Sequence, residues 1–222
     1  MSWKNEVFKN FKLYAITDLG TESPEELKKI ESAYQGGADI VQLRSKVLTD
    51  AAMLRIGRAM RSLADRYQKL FFVNDRVDLA LAADADGVHV GQEDLPVAEI
   101  RKICDHQKKS LWIGKSTHTV EQALQGVREG ADYIGVGPIF GTPTKPDYPP
   151  TGLELMERVR DKIRIPWVAI GGINEENLET VLKIGAERVA VVRAIFAAED
   201  IENATRKLRD QIERANQHVV KN

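Results

Sequence analysis

Apolar residues fall into short, dense runs separated by longer stretches in which they recur every three or four positions. The runs are Leu13–Thr17, Ile40–Arg44, Leu70–Asn74, Gly87–Val90, Leu111–Gly114, Tyr133–Gly137, Trp167–Gly171 and Arg188–Val192. Each has the length of a short strand, and several are apolar throughout, as suits parallel strands covered on both faces. The stretches between them predict amphipathic helices. Ser23-Pro24-Glu25-Glu26 opens the first with a Ser cap, Pro at the first helical position and Glu at the third. Thr119–Gln122 is a second capping box, followed by Val120, Ala123, Leu124 and Val127 at helical spacing. Gly37-Ala38, Gly130-Ala131 and Gly185-Ala186 read as helix ends, where glycine permits the left-handed turn. Gly-Ala followed by a strand gives a degenerate period of roughly 25 residues.

Eight strand-helix units predict an α/β fold, a single-domain (β/α)8 TIM barrel spanning 1–222, with its units between about 13 and 215. The alternative is a doubly wound open sheet. That fold usually carries a glycine-rich fingerprint after its first strand, where this chain has Asp18-Leu19-Gly20. The 222 residues fit one domain of this kind at the small end of its range.

Composition removes several classes. Apolar residues make up 43% and charged residues 29%, the balance of a globular protein. The longest uncharged stretch, Tyr133–Thr144, is too short to span a bilayer, which takes about 20 apolar residues. The polar start, Met1–Asn10, has no apolar segment of the secretory kind. Thirty-two basic and 33 acidic side chains leave a net charge of −1, so bulk charge does not point to nucleic acid. An anion site must come from local placement. The single cysteine, Cys104, excludes an internal disulfide and reads as buried helix filler, as expected in a reducing cytoplasm.

In a barrel, chemistry sits at the carboxyl ends of the strands. Gln42, Arg44 and Lys46 alternate there and so share one face; Arg44 offers a planar fork for phosphate and Lys46 a mobile charge, or the group is a salt-bridged strand end. Asp75 and Asp94 end neighbouring strands. Each alone reads as a helix cap; together, beside Arg44 and Lys46, they read as ligands for Mg²⁺, which takes one or two carboxylates plus substrate phosphate oxygens. Thr142, Pro143, Thr144 and Lys145 lie in a long loop ending near Thr151-Gly152, a candidate lid. Gly171-Gly172 and Val192-Arg193 occupy the loops after strands seven and eight, where barrels often bind phosphate. His118 reads as a solvated or capping residue and His89 as a satisfied interior one.

Gln42–Lys46, Val73–Arg76, Gly91–Asp94, Ser116–Thr119, Gly141–Lys145, Ile170–Ile173 and Val191–Ile195 together resemble the thiamine-phosphate synthase family. Each motif is weak; seven in order are specific, and the likeness runs from about Leu13 to Leu208. The resemblance implies a transferase of thiamine biosynthesis. It would join a pyrimidine diphosphate to a thiazole phosphate, releasing diphosphate by dissociative cleavage with one Mg²⁺ ion. It also implies that Gln42, Leu43, Arg44, Ser45, Lys46, Asn74, Ser116 and Lys145 contact the pyrimidine diphosphate. Asp75 and Asp94 would hold the metal, and Thr142, Pro143, Thr144, Gly172, Val192 and Arg193 the thiazole phosphate. Arg44, Lys46 and Lys145 would stabilise the departing diphosphate. Many relatives carry Ser at the position of Arg193; the backbone contact survives that change, and Arg193 can add charge. The expected partners are two small phosphorylated substrates, with no nucleic acid or membrane, and a homodimer is compatible with the resemblance. Two rivals are a thiazole tautomerase of the same superfamily with His118 as base, and a non-catalytic phosphate-ligand barrel.

Overall fold

The structure is a computed structural model and describes residues 2–142 and 149–219. It opens with α1 (Trp3–Asn10) and β1 (Leu13–Ile16). Strand and helix then alternate: α2 (Pro24–Gln35), β2 (Ile40–Leu43), α3 (Asp50–Tyr67), β3 (Leu70–Asn74), α4 (Val77–Ala82) and β4 (Gly87–Val90). There follow α5 (Val97–Gln107), β5 (Trp112–Thr117), α6 (Val120–Arg128), β6 (Tyr133–Val136), α7 (Gly152–Lys162) and β7 (Trp167–Ile170). The chain ends with α8 (Leu178–Lys183), β8 (Val189–Val191), α9 (Arg193–Phe196) and α10 (Ile201–Val219). All strand pairs are parallel, and β1 pairs with β8 to close the ring. This is the expected (β/α)8 barrel.

Alternation along each strand sorts the core into two shells. Leu13 and Ala15 face the helices, together with Val41, Leu43, Phe71 and Val73. Tyr14, Ile16, Ile40, Phe72, Tyr133 and Val168 face the lumen. Cys104 is buried in α5, as its pattern predicts. Both capping motifs form: Ser23 Oγ accepts from Glu26 N (3.4 Å) and Thr119 Oγ1 from Gln122 N (3.2 Å).

Several strands end a residue earlier than in the sequence reading, and three differences have consequences. Strand β2 stops at Leu43, so Lys46 lies on an exposed loop and does not share the strand face of Gln42. Strand β5 runs on to Thr117, because Ser116 and Thr117 continue the ladder opposite Gly135 and Val136. The polar start folds into α1, which sends Phe8 against Trp112, ring centroids 4.5 Å apart and nearly parallel. Phe11 follows it against Tyr133, so this segment fills the amino end of the lumen.

A repeated clamp holds that end of the ring. Asp39, Asp86 and Asp132 each immediately precede an even-numbered strand. Their backbone N–H groups donate to the carbonyls of Leu13, Phe71 and Ile113 at 2.8–2.9 Å. Their carboxylates accept from the N–H groups of those same residues (3.2, 2.9 and 2.7 Å). Two residues earlier the backbone is left-handed each time, at Gly37 (φ 102°), Asp84 (φ 50°) and Gly130 (φ 88°). Gly37-Ala38, Gly130-Ala131 and, in the same place, Asp84-Ala85 therefore mark a device that ends a helix and aims a carboxylate at the preceding strand.

Each of these aspartates also has basic partners: Lys69 and Arg209 for Asp39, Lys4 and Arg61 for Asp86, Arg101 for Asp132. Breaking a buried pair costs ~3–5 kcal/mol. Because Lys69 and Arg209 remain about a quarter exposed, Asp39→Ala should fall below that range, at about 2–3 kcal/mol. Urea unfolding followed by circular dichroism measures this; an unchanged midpoint would mean that the clamp is dispensable.

Candidate functional site

A cavity of about 470 Å³ opens at the carboxyl ends of the strands. Among the described residues, all eight strands contribute to its lining, β1 through Ile16, together with the loops after β2, β5, β6, β7 and β8; Asp75 and Asp94 are outside the lining.

On the β2 side, Gln42 and Arg44 face the cavity and are buried. The Arg44 guanidinium pairs with Asp18, and its N–H donates to Thr17 Oγ1 at 2.9 Å. The salt-bridged reading and the lining reading are therefore both true of Arg44. Leu43 points the other way, into the helical shell, so only its backbone is near the cavity. Ser45 Oγ donates to Leu19 O (2.7 Å) and accepts from Val47 and Leu48 N–H, which commits it to the turn. Lys46 is exposed, outside the cavity lining, and has no ion pair among the described residues.

Asn74 lines the cavity at the end of β3. Asp75 follows at the centre of a γ-turn: Arg76 N–H donates to Asn74 O at 2.6 Å, and Asp75 sits at φ 59°. This left-handed position is strained, and Asp is among the few non-glycine residues that tolerate it. Its N–H donates to His89 O (2.8 Å), extending the β3–β4 pairing by one step. Asp94, at the end of the next loop, accepts from Gly91 N–H at 2.7 Å. That loop is fastened to β5 by the buried Lys115, whose ammonium donates to Gly91 O (2.7 Å). The N-cap positions of α4 and α5 fall on Arg76 and Pro96, so neither aspartate caps a helix. Arg76 is turned to Asp50 and Asp78, and its guanidinium holds both carboxyls below their ordinary range.

On the opposite arc, Gly172 (φ 63°), Val192 and Arg193 line the cavity. A Cβ on Gly172 would come within 2.7 Å of Gly141 O, so the loop after β6 rests directly on this turn. Thr151 N–H returns to Pro138 O at 2.7 Å and fixes the base of the long loop. Thr142 lines the cavity; Pro143, Thr144 and Lys145 lie outside the described residues. Arg193 is exposed and has no ion pair among the described residues.

His118 is half-buried in the lining rather than solvated. Its Nδ1 must donate to Gly137 O, and its N–H donates to Gln122 Oε1 at 2.7 Å. His89 is satisfied as expected, with Nδ1 2.9 Å from the Tyr133 hydroxyl and Nε2 2.8 Å from Ser116 Oγ. It also lines the cavity, as does Ser116. The sequence reading singled out neither Tyr14 nor Tyr133. The signal was available: polar residues at alternate, inward positions of otherwise apolar strands. Burial pushes both phenols well above their ordinary range, so they stay protonated.

A closed barrel with a cavity at its carboxyl face, lined by an arginine on one arc and glycine-rich loops on the other, has the architecture in which barrel enzymes of this fold place their active sites. Residues 13–195 match the family model for thiamine monophosphate synthase. The chain belongs to that family. It is similar to the thiamine-phosphate synthase of Chloroflexus aurantiacus, with 46% identity over 90% of this chain and 92% of that one. The match to the thiamine-phosphate synthase of Gloeobacter violaceus is 47% identical over 91% of this chain, and covers 58% of that longer protein. A solved thiamine phosphate pyrophosphorylase from Pyrococcus furiosus superposes with a TM-score of 0.85 at 41% identity, covering 94% of this chain and 98% of that one.

The lumen has room for its polar residues because of two glycines. A Cβ on Gly114 would lie 2.2 Å from Tyr133 Cζ, whereas one on Gly135 would meet His89 Cε1 at 3.2 Å. Tyr133 is fully buried and cannot swing aside. Gly114→Ala should therefore destabilise by at least ~1–3 kcal/mol, and Gly135→Ala by less. Denaturant titration of the two variants tests that order.

Proposed function

We propose that the protein is a thiamine-phosphate synthase. It joins 4-amino-2-methyl-5-(diphosphooxymethyl)pyrimidine to 4-methyl-5-(2-phosphooxyethyl)thiazole, giving thiamine phosphate and diphosphate. The observation that carries this reading, beside family membership, is one cavity with Arg44, Asn74 and Ser116 on the β2–β5 arc and Gly172, Val192 and Arg193 on the β7–β8 arc. Two phosphorylated molecules can meet there with their reacting ends toward each other.

In this reading the pyrimidine diphosphate occupies the first arc. Its carbon–oxygen bond ionises, the diphosphate leaves with added charge, and the thiazole nitrogen captures the pyrimidine-methyl cation. Arg44 stabilises the leaving group from within the wall, where a charged donor acts more strongly than in water. Lys46 and Lys145 are assigned to the same charge by their motifs. The backbone of Gln42–Lys46 and the side chains of Asn74 and Ser116 orient the diphosphate. Thr142, Pro143, Thr144, Gly172, Val192 and Arg193 receive the thiazole phosphate. No general base is required.

By donor type, Asp75 and Asp94 suit one Mg²⁺ ion. Asp75 and Asp94 supply two hard carboxylate donors from adjacent strand ends, and Asp94 uses only Oδ2 toward Gly91 among the described residues. Two carboxylates leave the remaining positions of a six-coordinate ion to water and diphosphate oxygens. When bound, the ion would neutralise charge on the leaving group.

The deciding experiment incubates the purified protein with both substrates and Mg²⁺ and assays thiamine phosphate and diphosphate. Absence of both products overturns the reading. Asp75→Ala should lose activity by 10²-fold or more, an order of magnitude typical for removing a charge-stabilising group; wild-type turnover in that variant would sink the metal assignment. Arg193→Ser should raise KM for the thiazole phosphate a few-fold and leave kcat nearly unchanged.

A further inference from the structure

The polar side chains of the lumen form one unbroken line of hydrogen bonds. Gln42 Nε2 lies 2.7 Å from the Tyr14 hydroxyl, and the Tyr14 and Tyr133 hydroxyls are 3.1 Å apart. The Tyr133 hydroxyl is 2.9 Å from His89 Nδ1, and His89 Nε2 is 2.8 Å from Ser116 Oγ. Each phenol has one proton to give, and burial keeps it in place. In this structure the Tyr133 hydroxyl is placed to donate to Tyr14; hydroxyl protons rotate and a neutral imidazole has two tautomers, so the line has two complete assignments, and a ligand can reverse that bond.

In the first, Gln42 donates to Tyr14, Tyr14 to Tyr133, Tyr133 to His89 Nδ1, and His89 Nε2–H to Ser116. The Ser116 proton is then left for the cavity, and Gln42 Oε1 is left as an acceptor. In the second, every bond is reversed and the amide is turned; Ser116 spends its proton on His89. A mixed arrangement leaves a buried donor or acceptor without a partner, which costs ~1–3 kcal/mol. The line therefore switches as a unit.

We propose that Tyr14, Tyr133 and His89 are positioning residues that hold Ser116 as a hydrogen-bond donor toward the substrate diphosphate, with the His89 proton on Nε2. The inference rests on the reading above, in which the diphosphate lies at Ser116. An acceptor at Ser116 and a donor at Gln42 select the same polarity from both ends. A ligand that brings both is favoured over one that brings either alone. The line thus couples recognition at β2 to recognition at β5 across the lumen.

The test uses the full chain, inorganic diphosphate and Mg²⁺. Calorimetry measures diphosphate binding, and ¹⁵N spectra report the two His89 ring nitrogens, assigned by their loss in His89→Gln. The expected result is bound diphosphate with the proton on Nε2 and a bare Nδ1. Bound diphosphate with the proton on Nδ1, or on both nitrogens, overturns the inference and leaves the synthase reading standing. No binding overturns the diphosphate site at Ser116 and the inference with it.

Kinetics supply a second readout. Tyr133→Phe removes the central link and should lower kcat about tenfold, the worth of one hydrogen bond, with KM for the thiazole phosphate unchanged. Adding Ser116→Ala to it should cost little more. Full additivity of the two substitutions would overturn the coupling.

Discussion

The hydrogen bonds that join Leu13–Ala15 of β1 to Val189–Val191 of β8 turn a sheet into a ring. Closure gives every strand two neighbours and leaves no open edge among the eight. It also fixes what an inward-facing side chain can meet. Residues on the helical side pack into an ordinary apolar shell, but those facing inward meet only one another, the plug of α1 or the cavity contents. A polar residue placed inward must find its partner across the lumen. Gln42, Tyr14, Tyr133, His89 and Ser116 do so, and the ring brings β2, β1, β6, β4 and β5 close enough for it.

The two ends of the ring divide stability from chemistry. At the amino end the acidic residues are committed. Asp39, Asp86 and Asp132 each bind a backbone N–H of the preceding strand and a basic side chain. At the carboxyl end Asp94 binds one backbone N–H and has no basic partner among the described residues. Asp75 stands at a strained turn instead of in a helix cap. The Asp75 carboxylate accepts from Asn74 Nδ2 at 2.5 Å, beside the cavity wall, and strain of ~1–3 kcal/mol persists only where the surroundings enforce it. Position in the ring and backbone conformation, not a count of partners, separate the candidate ligands from the structural aspartates.

The fold was legible because closure needs no long-range information that the strands do not carry themselves. Eight dense apolar runs, capping boxes at Ser23 and Thr119, and Gly-Ala helix ends already describe the repeating unit. The candidate site was legible where a residue followed a run, as with Arg44, Asn74 and Gly172. It was less so where polarity interrupted a strand. Ser116 and Thr117 look like loop residues, yet the partners Gly135 and Val136 keep them in β5. Conversely, Lys46 looks aligned with Gln42 until β2 stops at Leu43. Helix α1 escaped the pattern because an eight-residue helix is not stable alone. It forms against Trp112 and Phe72, residues far along the chain that no local periodicity reveals.

Interior volume ties these threads together. A ring of eight strands has a lumen just wide enough for its own side chains. Large residues on one strand therefore demand small ones on the next. Gly114 lies between His89 and Tyr133 in the ladder, and Gly135 lies opposite Ser116. These glycines make the space in which a phenol and an imidazole reach each other without pushing the strands apart. They also make the polar line vulnerable, since one methyl group at Gly114 would occupy the place of the Tyr133 ring. A lumen filled by aliphatic side chains would be cheaper to bury and easier to pack. The glycine–aromatic pairing lets Tyr133 both pack against Phe8, Phe11 and Phe72 and reach His89, and so carries the polar line to Ser116 on the wall of the cavity.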